Sequence, residues 1–193
     1  QAAGGRTATG IQAANYGNKT AITNNGTIDV GGIAIYGNYA SFNVTNNGRI
    51  ASSGDVAIVA DGGGYPLVLD NRAGGTIAGG AGQLAVRAGA GTVTNAGSII
   101  GTVDLGYDIY NRSYFSATYV ADGGTIAGDL LFGRGSDKLV FLSTFGVSGR
   151  IDGGEGNDTL IFGRRSSDTV TLDPSLLAGI GFEALGVRAF GSD

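Results

Sequence analysis

The sequence predicts an all-β chain wound as a single-stranded parallel β-helix of about seven to eight coils, each 21–27 residues long. Three observations carry that expectation. A corner motif returns once per coil, the apolar runs are long enough only for brief strands, and 38 glycines fall in 193 residues without the three-residue period of collagen.

The corner motif is NNGTI at 24–28. It returns as NNGRI at 46–50, NRAGGTI at 71–77 and NAGSI at 95–99, then degenerates to DGGTI at 122–126 and SGRI at 148–151. The closing isoleucines at 28, 50, 77, 99, 126 and 151 are separated by 22, 27, 22, 27 and 25 residues. One apolar run precedes each corner, as in FNVT at 42–45 and LVLD at 67–70, and a second set lies between corners: GIAIYG at 32–37, DVAIVAD at 55–61 and QLAVRAG at 83–89. These runs alternate in the period of a strand and end in Gly, Asn or Asp. Roughly three strands and three turns per 25 residues describe one coil. A leucine-rich repeat of similar period is excluded because residues 1–125 hold too few leucines for its frame.

Each corner residue type has a physical reason. Asn24, Asn46, Asn71 and Asn95 tolerate a sharp turn, and each amide can bond its counterpart one coil away. Gly26, Gly48 and Gly97 remove a Cβ that would crowd the turn. The isoleucine that follows points inward onto the next isoleucine.

From about residue 129 the texture changes. GRGSDKLVF at 133–141 and GEGNDTLIF at 154–162 align at an offset of 21 residues, which sets Asp158 over Asp137 and Leu160 over Leu139. The string GGEGNDTLI also fits the nonapeptide that binds calcium in β-rolls, making Asp137 and Asp158 candidate calcium ligands. The segments nine residues before and after do not match it, so a structural corner explains the lettering better, and no other cofactor is expected. The chain is thus expected to be one β-helix domain over 1–193, with N-x-G-x-I coils over 1–128 and G-x-G-x-D-x-L coils plus a terminal strand over 129–193.

Both 27-residue intervals hold extra material, ADGGGYPL at 60–67 and DLGYDIYNRSYFSATYV at 104–120. The second gathers Tyr107, Tyr110, Tyr114, Phe115 and Tyr119, which are expected to protrude and bind a partner or, alternatively, to cap the core where the strand pattern breaks.

The ordered series of N-x-G-x-I corners, G-x-G-x-D-x-L coils and the FEALGV strand at 182–187 resembles the passenger domain of bacterial autotransporters (type V secretion) over residues 20–187. That resemblance implies a right-handed β-helix, exported across the outer membrane and displayed on the cell surface or secreted. It also implies an adhesin that attaches to host cells or extracellular matrix, or associates with itself. A C-terminal barrel and the Trp-containing strand expected after FEALGV are missing from the sequence, so the resemblance is to the C-terminal portion of a passenger.

Composition narrows the alternatives. With no His and no Cys, no catalytic triad or thiolate metal site can be assembled, and acid–base chemistry would fall to carboxylates such as Asp104 with Asp108, or Asp137 with Asp158. A carbohydrate-active β-helix enzyme, a structural stalk and a tailspike-like trimer remain as rival readings. A net charge of −4 without a basic stripe argues against nucleic acid, and no apolar run is long enough for direct insertion of a helix into a membrane.

Overall fold

The computed structural model describes residues 9–14, 19–61, 65–80, 84–107, 115–164 and 180–189, and those residues form parallel strands without a helix. The first coil comprises β1 (Ile11–Ala14), β2 (Lys19–Asn24) and β3 (Thr27–Val30), and the second β4 (Ile35–Asn38), β5 (Ser41–Asn46) and β6 (Arg49–Ser52). The third holds β7 (Ile58–Asp61), β8 (Leu67–Asn71) and β9 (Thr76–Ala78), and the fourth β10 (Leu84–Ala88), β11 (Gly91–Asn95) and β12 (Ser98–Ile100). The fifth holds β13 (Thr102–Asp104), β14 (Ala117–Ala121) and β15 (Thr125–Ala127), and the sixth β16 (Leu130–Leu131), β17 (Lys138–Phe141) and β18 (Gly146–Val147). After these come β19 (Ile151–Asp152), β20 (Thr159–Arg164) and β21 (Ala184–Ala189).

Every third strand stacks in parallel as far as β20, on which the consecutive strand β21 stacks directly, giving face A of seven strands (β1 to β19), face B of eight (β2 to β21) and face C of six (β3 to β18). Six coils therefore carry all three strands, slightly fewer than the seven to eight expected, and the count of eight holds only for face B. Because side chains alternate across a strand, each face sends one set of residues inward at a rung spacing of about 4.8 Å. On face C this set is Ile28, Ile50, Ile77, Ile99 and Ile126, in register. On face A it is Ile35, Ile58, Val86, Val103 and Leu130.

The isoleucine series needs one correction. Ile151, expected to close it, sits on face A against Leu130, while Val147 takes the place above Ile126. The SGRI string at 148–151 is the bend from face C to face A, so its isoleucine enters the core one face later.

Where β2, β5, β8 and β11 turn into face C, the asparagines form a buried ladder. Asn24 Nδ2 donates to Asn46 Oδ1 (2.8 Å), Asn46 Nδ2 to Asn71 Oδ1 (2.9 Å) and Asn71 Nδ2 to Asn95 Oδ1 (2.8 Å). The amide oxygens of Asn24, Asn46 and Asn95 also accept the N–H of Gly26, Gly48 and Gly97. Gly48 has a second reason to lack a side chain, since a Cβ there would collide with the Gly26 carbonyl oxygen. In the next rung the register partner of Asn95 is Ala121, and Phe141 and Phe162 follow in the same column with their rings stacked at 5.0 Å and 15°.

Truncating an inner rung strands both an amide donor and an amide acceptor in a dry core. Asn71→Ala is expected to lower stability by about 2 kcal/mol or more, as read from the urea midpoint. The exposed Asn47, whose Nδ2 bonds Asn25 Oδ1, provides the contrast. Asn47→Ala is expected to cost less than about 0.5 kcal/mol.

Candidate functional site

The corner between faces A and B differs from coil to coil. In the fourth coil it is short, with only Gly89 and Ala90 between β10 and β11. In the third and fifth coils this corner carries the two stretches of extra sequence, after Asp61 and after Asp104. The two thus frame a stretch of outward-facing residues on face A.

Strand register sets the order of that stretch. Gln12, Tyr36, Val59, Arg87 and Asp104 are successive partners on β1, β4, β7, β10 and β13. Val59 points outward between Tyr36 and Arg87 and is only 5% exposed, so its neighbours roof it. The Tyr36 hydroxyl lies beside the Asp61 carboxylate, and burial together with the nearby Asp61 and Tyr107 raises its pKa. The Arg87 guanidinium lies over the Tyr107 ring at 4.4 Å, a favourable stacking geometry for a cation, and its Nε has no hydrogen-bond partner. Asp104 takes the Gly106 N–H on Oδ1 at 3.0 Å, while burial raises its pKa against the opposing effects of that bond and of Arg87.

Backbone geometry fixes the same corner. Tyr107 N donates to Ala88 O at 3.2 Å, and a Cβ on Gly89 would collide with the Tyr107 carbonyl oxygen. Tyr39 is the one non-glycine residue with positive φ among the described residues, at 52°. Its N–H donates to Asp61 O at 2.8 Å, and its ring meets the edge of Tyr65 at 6.2 Å. A side-chain-bearing residue held in the left-handed region stores strain of about 1–3 kcal/mol, and such residues concentrate at functional sites.

The residues expected from sequence divide three ways. Tyr107 is half-buried within this cluster and Phe115 is 42% exposed, whereas Tyr119 is 0% exposed. Tyr119 therefore belongs to the core and does not protrude: its side chain has inward parity on β14, stacked between Val93 and Leu139. Burial raises its hydroxyl pKa against the influence of the Asn95 side chain, which lies close without forming an aligned hydrogen bond. Tyr110, Tyr114 and Asp108 lie outside the described residues. Tyr36, Tyr39, Asp61, Tyr65 and Arg87 were not expected as a group. Their signal was the common alignment of IAIYG, VAIVA and LAVRA, which places Tyr36, Val59 and Arg87 at one position.

Asp137 and Asp158 stack as expected, and both are buried. Asp137 accepts the N–H of Ala117 (2.6 Å) on Oδ1 and that of Gly133 (3.1 Å) on Oδ2. Asp158 Oδ1 accepts the N–H of Asp137 (2.8 Å), and Glu183 Oε2 accepts the N–H of Asp158 (2.7 Å). Each carboxylate thus holds the backbone of the preceding rung. Asp158 Oδ2 has no hydrogen-bond partner, and Gly154 N, equivalent to the Gly133 donor, goes to Asp152 Oδ1. Among the described residues no group of three acidic side chains is arranged to hold a metal ion. A cavity of about 280 Å³ at the corner between faces C and A is floored by Gly79, Gly101 and Gly128, and the charge at its rim, Asp129, is engaged by Arg150.

Comparison with known proteins returns no matching family model, no matching curated protein and no matching solved structure.

Burial pushes the Asp158 carboxyl up to about 6; the Asp137 N–H opposes that rise, while the Asp137 and Glu183 charges add to it. The folded chain therefore keeps a proton that the unfolded chain releases near the ordinary value of 3.8. The contribution is fully present below that ordinary value and is lost as pH rises toward about 6. The urea midpoint of the wild type relative to Asp158→Asn is expected to fall across this window, and a constant difference would show that Asp158 does not titrate there.

Proposed function

We propose that this chain is a non-catalytic module of a bacterial autotransporter passenger, displayed on the cell surface or secreted. In this reading it acts as an adhesin toward host cells or extracellular matrix, or in association between cells. The observation that carries the adhesive reading is the shared corner. Two insertions are rooted on either side of one aromatic and charged cluster, on a frame whose strands are locked rung to rung. Solenoids bind through such per-repeat insertions and the surfaces between them.

Two features support the non-catalytic part of the proposal. The sequence holds no His or Cys, and the stacked pair Asp137 and Asp158 engages backbone N–H groups in the core rather than facing a groove. The export route rests on the resemblance of the corner series and the FEALGV strand. A cysteine-free chain also suits passage through an oxidising compartment. No cofactor and no nucleic acid enter the proposal.

Binding of the chain to cultured epithelial cells, to immobilised matrix proteins and to itself is the direct test. Saturable binding is expected in at least one of the three, reduced about tenfold or more by Tyr36→Ala combined with Arg87→Ala, a loss of roughly 1.4 kcal/mol. A chain that binds none of them is a spacer.

A further inference from the structure

We propose that the surface formed by Tyr36, Asp61, Arg87, Asp104 and Tyr107 binds a neutral oligosaccharide, so that the partner in the adhesive reading, on which this inference rests, is a glycan. A sugar ring offers two kinds of surface at once. Its C–H face is apolar and stacks on aromatic rings, and its rim of hydroxyls both donates and accepts hydrogen bonds. A receptor for it needs flat rings beside planar polar groups that are held in place before the ligand arrives.

The corner supplies both kinds. Tyr36 and Tyr107 are half-buried, which leaves ring surface open while the rest of each ring is packed. Tyr39 and Tyr65, which meet edge to face, add an aromatic wall at the same corner. Among these rings lie the half-buried Arg87 guanidinium and the half-buried carboxylates of Asp61 and Asp104, all three planar. Gln12, exposed beneath Tyr36 in the same row, adds an amide. The polar groups are already oriented. Arg87 rests on Tyr107, Asp61 lies beside the Tyr36 hydroxyl, and Asp104 is fixed by the Gly106 N–H. From β4 to β13 the row crosses three rung intervals, about 14 Å, which suits two or three sugar rings.

Charge selects against other ligands. Asp104 lies near a single guanidinium whose face is already covered by Tyr107, Asp61 adds a second carboxylate beside Tyr36, and the whole chain carries a net charge of −4. An acidic saccharide or phosphate would meet more repulsion than attraction. A metal cation would meet Arg87 at the centre of the row.

The chain has 8 tyrosines and no tryptophan, so its intrinsic fluorescence is tyrosine emission, to which Tyr36 and Tyr107 of this surface contribute. The test is titration of the full chain with cellotriose, maltotriose and N-acetylchitotriose, with trigalacturonate as the acidic counterpart. At least one neutral trisaccharide is expected to saturate with Kd of about 1 mM or tighter, and Tyr36→Ala and Arg87→Ala are each expected to weaken it about tenfold. Tyr36→Phe, which keeps the ring, is expected to weaken it less, and it guards against a misfolded alanine variant. Binding of trigalacturonate alone, binding of none of the neutral sugars, or binding unchanged by Tyr36→Ala and Arg87→Ala overturns the proposal. Cell attachment that survives both excess trisaccharide and periodate oxidation of the cell surface also overturns it, and leaves adhesion itself standing. Sugar binding by a chain that attaches to no cell upholds it and removes the adhesive reading instead.

Discussion

In a stacked coil, the nearest neighbour of almost every inward side chain is the residue at the same place one rung away. That constraint governs the interior. An apolar residue meets it by resembling its neighbour, as the isoleucines of face C do. A buried polar residue must find its partners along the axis or in the backbone of its own corner. An amide can do this indefinitely, since it donates upward and accepts from below. A carboxylate cannot, because it only accepts. Asp137 and Asp158 accordingly reach past one another's side chains to backbone N–H groups.

The two solutions occupy different corners and different halves of the chain. Up to Asn95 the polar ladder runs at the end of the face B strands. From Asp137 onward it runs at their start, with Phe141 and Phe162 in the column that asparagine occupied earlier. The changeover falls in the fifth coil. Ala121 there ends the amide ladder and leaves room for the bulk of Tyr119, which packs on Phe145 at 5.4 Å. Carrying both ladders through the same rung would place polar groups at both ends of a strand only five residues long, with little apolar surface left between them.

Much of the frame was legible from the sequence because solenoid packing is repetitive. The recurring corner motif fixed which asparagines and isoleucines meet, and the 21-residue offset fixed Asp158 over Asp137. Legibility failed where the repeat degenerates. SGRI at 148–151 matches the motif in lettering, yet Ile151 belongs to face A, because sequence spacing cannot say which of three faces a short strand joins. The sequence leaves Tyr119 open between protruding and capping the core for a related reason. Aromatic clustering marks an unusual segment but carries no parity, and only the strand register turns that ring inward. The cluster around Arg87 was half visible. Its rows could be aligned, but the stacking of Arg87 on Tyr107 depends on the path of the chain beyond β13.

The roots of the longer insertion bear on how the solenoid carries load. On one side Tyr107 is bonded to Ala88 of the fourth coil. On the other, Ser116 Oγ accepts the N–H of Ser136, and Ala117 donates to Asp137, both belonging to the sixth coil. A pull applied to this corner is therefore not borne by the fifth coil alone. It spreads in shear across three coils, and peeling the insertion away requires breaking hydrogen bonds to the coils on both sides together.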